Sequence, residues 1–284
     1  MVLDAKSAET PNGNEKADLL YKRTLNRNLM LTFLPPTEKR YEKAPVYFLI
    51  PGGGWHIENR QSMIDFSIQS VEILRKEGFA VVSIDYRVCS DGAVMSEMIT
   101  DCFDAARYVA HFADILEIDK ERFVVSGHSA GAHLALMLSY APQEEFQGDY
   151  EWNDTFCVKA VAVMSPPVDL RDDTTNNLRN LGDAFVGTDK GEKERTSPIS
   201  YVTKHCPPTF LSAGTSDYLV FATSSEKLYQ KLSDCGVQCK LLLSVGGGHC
   251  FEKIHDSIEP SVTMSDVQQE IARFMVTHIE RIIF

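Results

Sequence analysis

The sequence predicts an α/β protein: one mostly parallel sheet with helices on both faces. Two observations carry this. Six short runs are apolar almost without interruption, which a strand covered on both faces requires, and the segments between them place apolar residues three or four apart, as one buried helix stripe does. Strand, helix, strand, repeated, calls for right-handed crossovers within a single sheet.

In chain order, residues 1–18 are rich in Asn, Glu, Lys, Gly and Pro and are expected to form a flexible arm, leaving 19–284 as one domain. Strands are expected at Val46–Ile50, Ala80–Tyr86, Arg122–Gly127, Val158–Ser165, Thr209–Gly214 and Lys240–Val245. The segment Ser62–Phe79 puts Ile64, Ile68, Val71 and Leu74 on one helical stripe and stops at Gly78. Met95–Leu116 carries Met98, Cys102, Phe103, Ala106 and Val109 at similar spacing, and Ser225–Gly236 reads as a further helix. The final helix opens with a Ser265/Gln268 capping box and buries Val267, Ile271, Phe274 and Ile279. Two polar stretches interrupt the alternation, Pro142–Phe156 and Pro166–Val202. Long connections in a compact domain tend to be functional loops, so the second, at about 166–202, reads as a small cap or lid over a site, a plain surface excursion being the alternative.

Composition removes several classes of function. The formal charge is -12, with 40 acidic against 28 basic residues, so nucleic acid and anionic membrane are not expected partners. The first residues hold no apolar segment of the kind that directs export or spans a bilayer. The 7 cysteines are odd in number, dispersed and without a CxxC pair, which fits a reduced, cytoplasmic protein without a disulfide framework or zinc site. No phosphate-binding loop, metal-ligand spacing or nicotinamide fingerprint is present, so neither metal nor cofactor is expected.

The chemistry concentrates in VVSGHSAGAHLALML, where Gly127-His128-Ser129-Ala130-Gly131 stands between an apolar strand and an apolar helix. A serine on a sharp strand-to-helix turn needs small neighbours, which Gly127 and Gly131 supply. Its hydroxyl is a poor nucleophile at neutral pH and needs a base, and the base needs an orienting group. Asp217 follows one late strand in SAGTSDYLV and His249 follows the next in SVGGGHCFE. Ser129, Asp217 and His249 therefore all fall past the carboxyl ends of expected parallel strands, where sites of open sheets form. Asp85 also ends a strand but precedes the serine and is expected to pin a loop. Among the remaining histidines, His111 and His278 fall in helices, His128 and His133 flank the serine, and His249 alone sits in a glycine-rich loop after a late strand.

PGGGWH, directly after Val46–Ile50, has an explanation in the same chemistry. Acyl transfer builds charge on a carbonyl oxygen, and backbone N–H groups can meet it only where no side chain intervenes. Gly52, Gly53 and Gly54 allow that approach, with the N–H of Ala130 on the other side. Trp55 is a candidate wall of a substrate pocket, loop packing being the alternative.

These stretches, with VSIDYR, DCFDAARYV and TSPISYV, resemble the α/β-hydrolase superfamily, and within it the small esterases that include acetyl and feruloyl esterases, carboxylesterases related to hormone-sensitive lipase, and aryl formamidases. The resemblance implies the α/β-hydrolase fold, an oxyanion hole at Gly53, Gly54 and Ala130, and Ser129, Asp217 and His249 as nucleophile, acid and base. TSPISYV resembles the segment that returns from the cap to the sheet. The implied activity is hydrolysis of a small carboxylic ester through an acyl-enzyme, with formamide cleavage as the neighbouring alternative and a non-catalytic receptor on the same scaffold as the distant one. The expected partner is a small-molecule ester, an acetylated or aryl-acylated carbohydrate among the candidates, and the oligomeric state is left open. One position departs from the family: Pro51 stands where His usually precedes the glycines, which leaves the anchoring of that loop to be explained.

Overall fold

The structure, a computed structural model, describes residues 16–148, 154–171 and 189–280. In chain order its elements are β1 (Ala17–Arg23), β2 (Asn28–Leu34), β3 (Ala44–Ile50), α1 (Arg60–Phe66), α2 (Ile68–Lys76), β4 (Ala80–Ile84), α3 (Met95–His111), β5 (Ile118–His128), α4 (Ala130–Tyr140), β6 (Val158–Met164), α5 (Lys190–Arg195), β7 (Thr209–Gly214), α6 (Ala222–Asp234), β8 (Cys239–Ser244) and α7 (Met264–Glu280). The strands form one sheet in the order β1-β2-β4-β3-β5-β6-β7-β8. From β4 to β8 every neighbouring pair is parallel, whereas β1 pairs antiparallel with β2 and β2 antiparallel with β4.

The period-2 alternation of a strand divides the core. In β3, Val46, Phe48 and Ile50 enter one cluster with Met98, Phe103, Val109, Leu134 and Leu228, from α3, α4 and α6. Tyr47 and Leu49 enter the opposite cluster with Met63, Val71, Leu74, Val267, Ile271 and Met275, from α1, α2 and α7. All seven β3 residues are buried, which is why its sequence shows no polar alternation.

The six expected strands are present to within a few residues at their ends. β1 and β2 were not anticipated: they form a hairpin closed where Thr24 N donates to the Arg27 carbonyl at 3.0 Å. Ala17 and Asp18 pair with Phe33 and Thr32, so the last two residues of the expected arm belong to the sheet, while residues 1–15 lie outside the described residues. The helix expected over Ser62–Phe79 is two helices that meet at Ser67. Gln268 of α7 bridges the break: its amide donates to the Phe66 carbonyl at 2.5 Å and accepts from Gln69 N at 2.9 Å. Gln268 is thereby committed to the helix junction. The capping box of α7 is instead Thr263 with Asp266, joined by Thr263 N to Asp266 Oδ2 at 2.9 Å and Asp266 N to Thr263 Oγ1 at 3.3 Å. Ile68 is 43% exposed, because the break turns it off the stripe that Ile64, Val71 and Leu74 keep.

The two polar stretches interlock. Tyr201 donates to Glu145 Oε1 at 2.7 Å, Arg195 pairs with the same carboxylate at 3.2 Å, and the Arg195 guanidinium lies 4.6 Å from the centre of the Phe146 ring. Leu170 N donates to Ser197 Oγ at 2.8 Å and Ile199 N to the Val168 carbonyl at 3.1 Å, so both ends of the expected 166–202 insertion are tied together. Its centre, 172–188, lies outside the described residues.

Candidate active site

Ser129 occupies the turn from β5 to α4 with φ 55° and ψ -121°, a conformation that costs a residue with a Cβ roughly 1–3 kcal/mol and persists only where the surroundings impose it. They impose it through close packing. A Cβ at Gly127 would stand 2.8 Å from Ala132 N, and one at Gly131 would stand 2.6 Å from the Pro51 carbonyl oxygen, so both flanking glycines are demanded by backbone contact. Ser129 N donates to the Met164 carbonyl at 2.9 Å, which pins the turn to the end of β6.

Asp217 and His249 come from the loops after β7 and β8. Asp217 Oδ1 accepts from Leu219 N at 2.8 Å and Val220 N at 3.0 Å, and Oδ2 lies 2.7 Å from His249 Nδ1. The carboxylate is fully buried and the imidazole 11% exposed. With Nδ1–H given to the carboxylate, Nε2 keeps a lone pair, the arrangement a general base requires. The second triple glycine, Gly246 to Gly248, lets this loop fold tightly: Gly246 has φ 80°, and a Cβ at Gly214 would overlap the carbonyls of Gly247 and Gly248. The carbonyl of His249 is itself gripped, by His128 Nε2 at 3.0 Å and Ser165 Oγ at 3.1 Å. The loop carrying His249 is thus closed against the residue preceding Ser129.

The loop after β3 lies against the same turn. Gly53 and Gly54 have φ 131° and 62°, and a Cβ at Gly52 would stand 2.7 Å from the His128 carbonyl oxygen. Among the described residues, no acceptor binds the N–H of Gly53, Gly54 or Ala130. Pro51 leaves the loop anchored all the same, because Tyr86 Oη donates to its carbonyl at 2.8 Å. Trp55 is fully buried, edge-on to the His133 ring at 5.4 Å, and its carbonyl accepts from Cys89 N at 2.9 Å. With no exposed surface it packs the loop rather than facing an open cavity.

Of the other residues weighed from sequence, Asp85 accepts from Arg60 Nη1 at 2.9 Å and Met30 N at 3.1 Å, tying β2 and α1 to the end of β4. His111 pairs with Asp154, His278 with the Phe274 carbonyl and His133 with the Thr196 carbonyl, each at 2.7 Å. Burial pushes the pKa of His133 down to about 4. His128 is likewise held at about 4, by burial first and then by the nearby His249. Burial lifts the Cys250 thiol to about 11, with Glu252 and Asp217 adding to it, so it stays a neutral thiol. Tyr86, Ser165 and the carbonyl grip of His128 were missed in sequence, since no spacing rule links them to the residues they hold.

The sequence model of the BD-FAE family matches residues 31–232. The chain belongs to the BD-FAE family. The BD-FAE match spans Gly53, Ser129 and Asp217 and ends before His249. This BD-FAE chain is similar to the probable isoprenylcysteine alpha-carbonyl methylesterase ICME of Oryza sativa subsp. japonica, 27% identical over 246 residues that cover 82% of this chain and 57% of that protein. It is also similar to esterase LipQ of Mycobacterium tuberculosis, 27% identical over 233 residues covering 78% and 53%. The chain therefore spans about half the length of these curated relatives. Among solved structures, the thermophilic esterase Est2 of Thermogutta terrifontis with propionate bound superposes with a TM-score of 0.75 at 22% identity, over 94% of this chain and 95% of that one. The shared architecture is the α/β-hydrolase fold.

Proposed function

We propose that the protein is a serine hydrolase that cleaves a small carboxylic ester through an acyl-enzyme. The observation that carries this is the 2.7 Å bond between His249 Nδ1 and Asp217 Oδ2, in loops that close against the strained turn of Ser129. Ser129 Oγ attacks the ester carbonyl while His249 Nε2 takes its proton. Asp217 keeps the imidazole in the Nδ1–H tautomer and stabilises the imidazolium. The N–H groups of Gly53, Gly54 and Ala130 receive the oxyanion; losing one such donor typically lowers turnover roughly 100- to 1000-fold. The imidazolium then protonates the leaving alcohol. Water, activated by the same His249, releases the acid and restores the serine. The names of the relatives support ester cleavage, and the propionate bound to Est2 supports a short acyl group.

The test is hydrolysis of p-nitrophenyl acetate, butyrate and octanoate by the wild type and by Ser129→Ala, both shown to be folded by circular dichroism. Turnover of the short esters that vanishes in the variant supports the reading. Turnover that survives Ser129→Ala, or a folded wild type inert to all three, refutes it. An N-formyl aryl amide in the same panel separates ester from formamide cleavage.

A further inference from the structure

His128 stands between the three parts of the site, and the steps above give it no role. Its ring lies between Phe66 at 4.8 Å and His249 at 4.7 Å, centre to centre. Its Nδ1 comes within 3.5 Å of where a Cβ on Gly52 would sit. Its Nε2 lies 3.0 Å from the carbonyl oxygen of His249, which Ser165 Oγ also reaches at 3.1 Å. A carbonyl only accepts, so this bond needs the proton on Nε2 and leaves Nδ1 bare.

Resting on the serine-hydrolase reading, we infer that His128 is a positioning residue: an imidazole whose Nε2–H fixes the main chain of His249 and thereby aims that residue's ring at Ser129. The groups facing it leave that role open. Cys250 Sγ is 3.9 Å from Nε2 and is a neutral thiol; Glu252 is engaged with Cys250 N at 2.6 Å; Asp217 is committed to His249 and two backbone amides. Burial, and then the nearby His249, hold the pKa of His128 down at about 4. Neutrality matters because His249 becomes an imidazolium in every cycle, and a second cation 4.7 Å away would oppose it. The residue between Gly127 and Ser129 thus couples the turn, the glycine loop and the base.

Two measurements on the full chain test this. Long-range 1H–15N NMR of the histidine rings is expected to show His128 in the Nε2–H tautomer, unchanged from pH 5.5 to 8.5. An Nδ1–H tautomer, or titration in that range, overturns the inference whether or not the protein turns over an ester. Kinetics on p-nitrophenyl butyrate then compare His128→Phe, which keeps a ring against Phe66, with His128→Gln, whose amide can donate to the same carbonyl. Loss of a buried donor and displacement of the base are expected to lower kcat of the Phe variant about 10- to 100-fold with KM changed less than about twofold, and Gln to restore at least half of that loss on a logarithmic scale. A Phe variant that keeps wild-type kcat, or a Gln variant no better than Phe, overturns it. If His128→Phe does not fold, His128→Leu takes its place. A wild type inert to every ester refutes the hydrolase reading, while the tautomer still decides whether His128 donates.

Discussion

The backbone of Gly131 lies against that of Pro51, so closely that a methyl group at 131 would stand 2.6 Å from the Pro51 carbonyl oxygen. Nothing soft separates the helix that follows Ser129 from the loop that follows β3. Gly131→Ala is therefore expected to push the loop off the turn, lowering stability by about 1–3 kcal/mol and kcat at least tenfold, since the donors of Gly53 and Gly54 move with it. Urea unfolding and ester turnover check the two effects, and an Ala variant with wild-type kcat would show that the contact does not set the donors.

The φ of 55° at Ser129 makes a prediction about stability that is separate from chemistry. Inside a helix Ala is preferred to Gly, because Gly has more unfolded-state freedom to lose, but at the N-cap position that Ser129 occupies Gly is already the better of the two. Here the Cβ itself is strained as well, so the preference for Gly is expected to persist. Ser129→Gly should be more stable than Ser129→Ala by about 1 kcal/mol, with both inactive. Equal or reversed urea midpoints would mean that the turn stores no strain at this residue.

The parallel half of this architecture was readable because strands covered on both faces cannot alternate polar and apolar residues. β3 with its seven buried residues and β7 with its six announce themselves. β1 mixes Asp18, Lys22 and Arg23 with its apolar residues at an edge of the sheet, and the hairpin that pairs it with β2 turns through Thr24-Leu25-Asn26-Arg27, where no glycine or proline announces a turn. The same divide runs through the site. Ser129, Asp217 and His249 follow from residue type and strand-end position, and the glycines from the needs of close approach. The contacts of Tyr86 with Pro51 and of Ser165 and His128 with His249 join segments between 35 and 121 residues apart through backbone carbonyls, which have no sequence identity to read.

Tyr86→Phe removes only the hydroxyl that holds the Pro51 carbonyl. The orphaned acceptor is buried, so stability is expected to fall by about 1–3 kcal/mol. If this bond anchors the loop in place of the usual histidine, kcat should fall several-fold while KM stays near the wild-type value. A loss of stability with unchanged kcat would assign the bond to folding alone.

Asp217→Asn keeps an acceptor for the amides of Leu219 and Val220 but turns an NH2 toward His249 Nδ1. The imidazole is then forced to carry its proton on Nε2, where the base should be bare. A fall of roughly 10⁴-fold in kcat at neutral pH with little change in fold is expected. Less than a tenfold loss on p-nitrophenyl butyrate would remove Asp217 from the orienting role.

Glu58 follows the glycine loop with its side chain only 1% exposed, paired with Arg27 and close to Asp85. Burial, and then the negative charge of Asp85, raise its pKa from 4.5 to about 7, against the opposing pull of Arg27. Between those two values the folded chain holds a proton that the unfolded chain has released. The stability this contributes is complete below about pH 4.5 and is lost as pH rises through about 7. Arg60 faces the same cluster through Asp85, which helps hold its guanidinium charged, and does not alter the direction; Asp91 pairs with Arg27. Glu58→Gln removes the titration while leaving an acceptor for Arg27. The urea midpoint of the variant should therefore fall less between pH 5 and pH 8 than that of the wild type, and at pH 8 the variant should be the more stable by about 1–3 kcal/mol. Parallel midpoint curves for the two proteins would mean that Glu58 is ionised in the folded state throughout, with Arg27 outweighing both burial and Asp85.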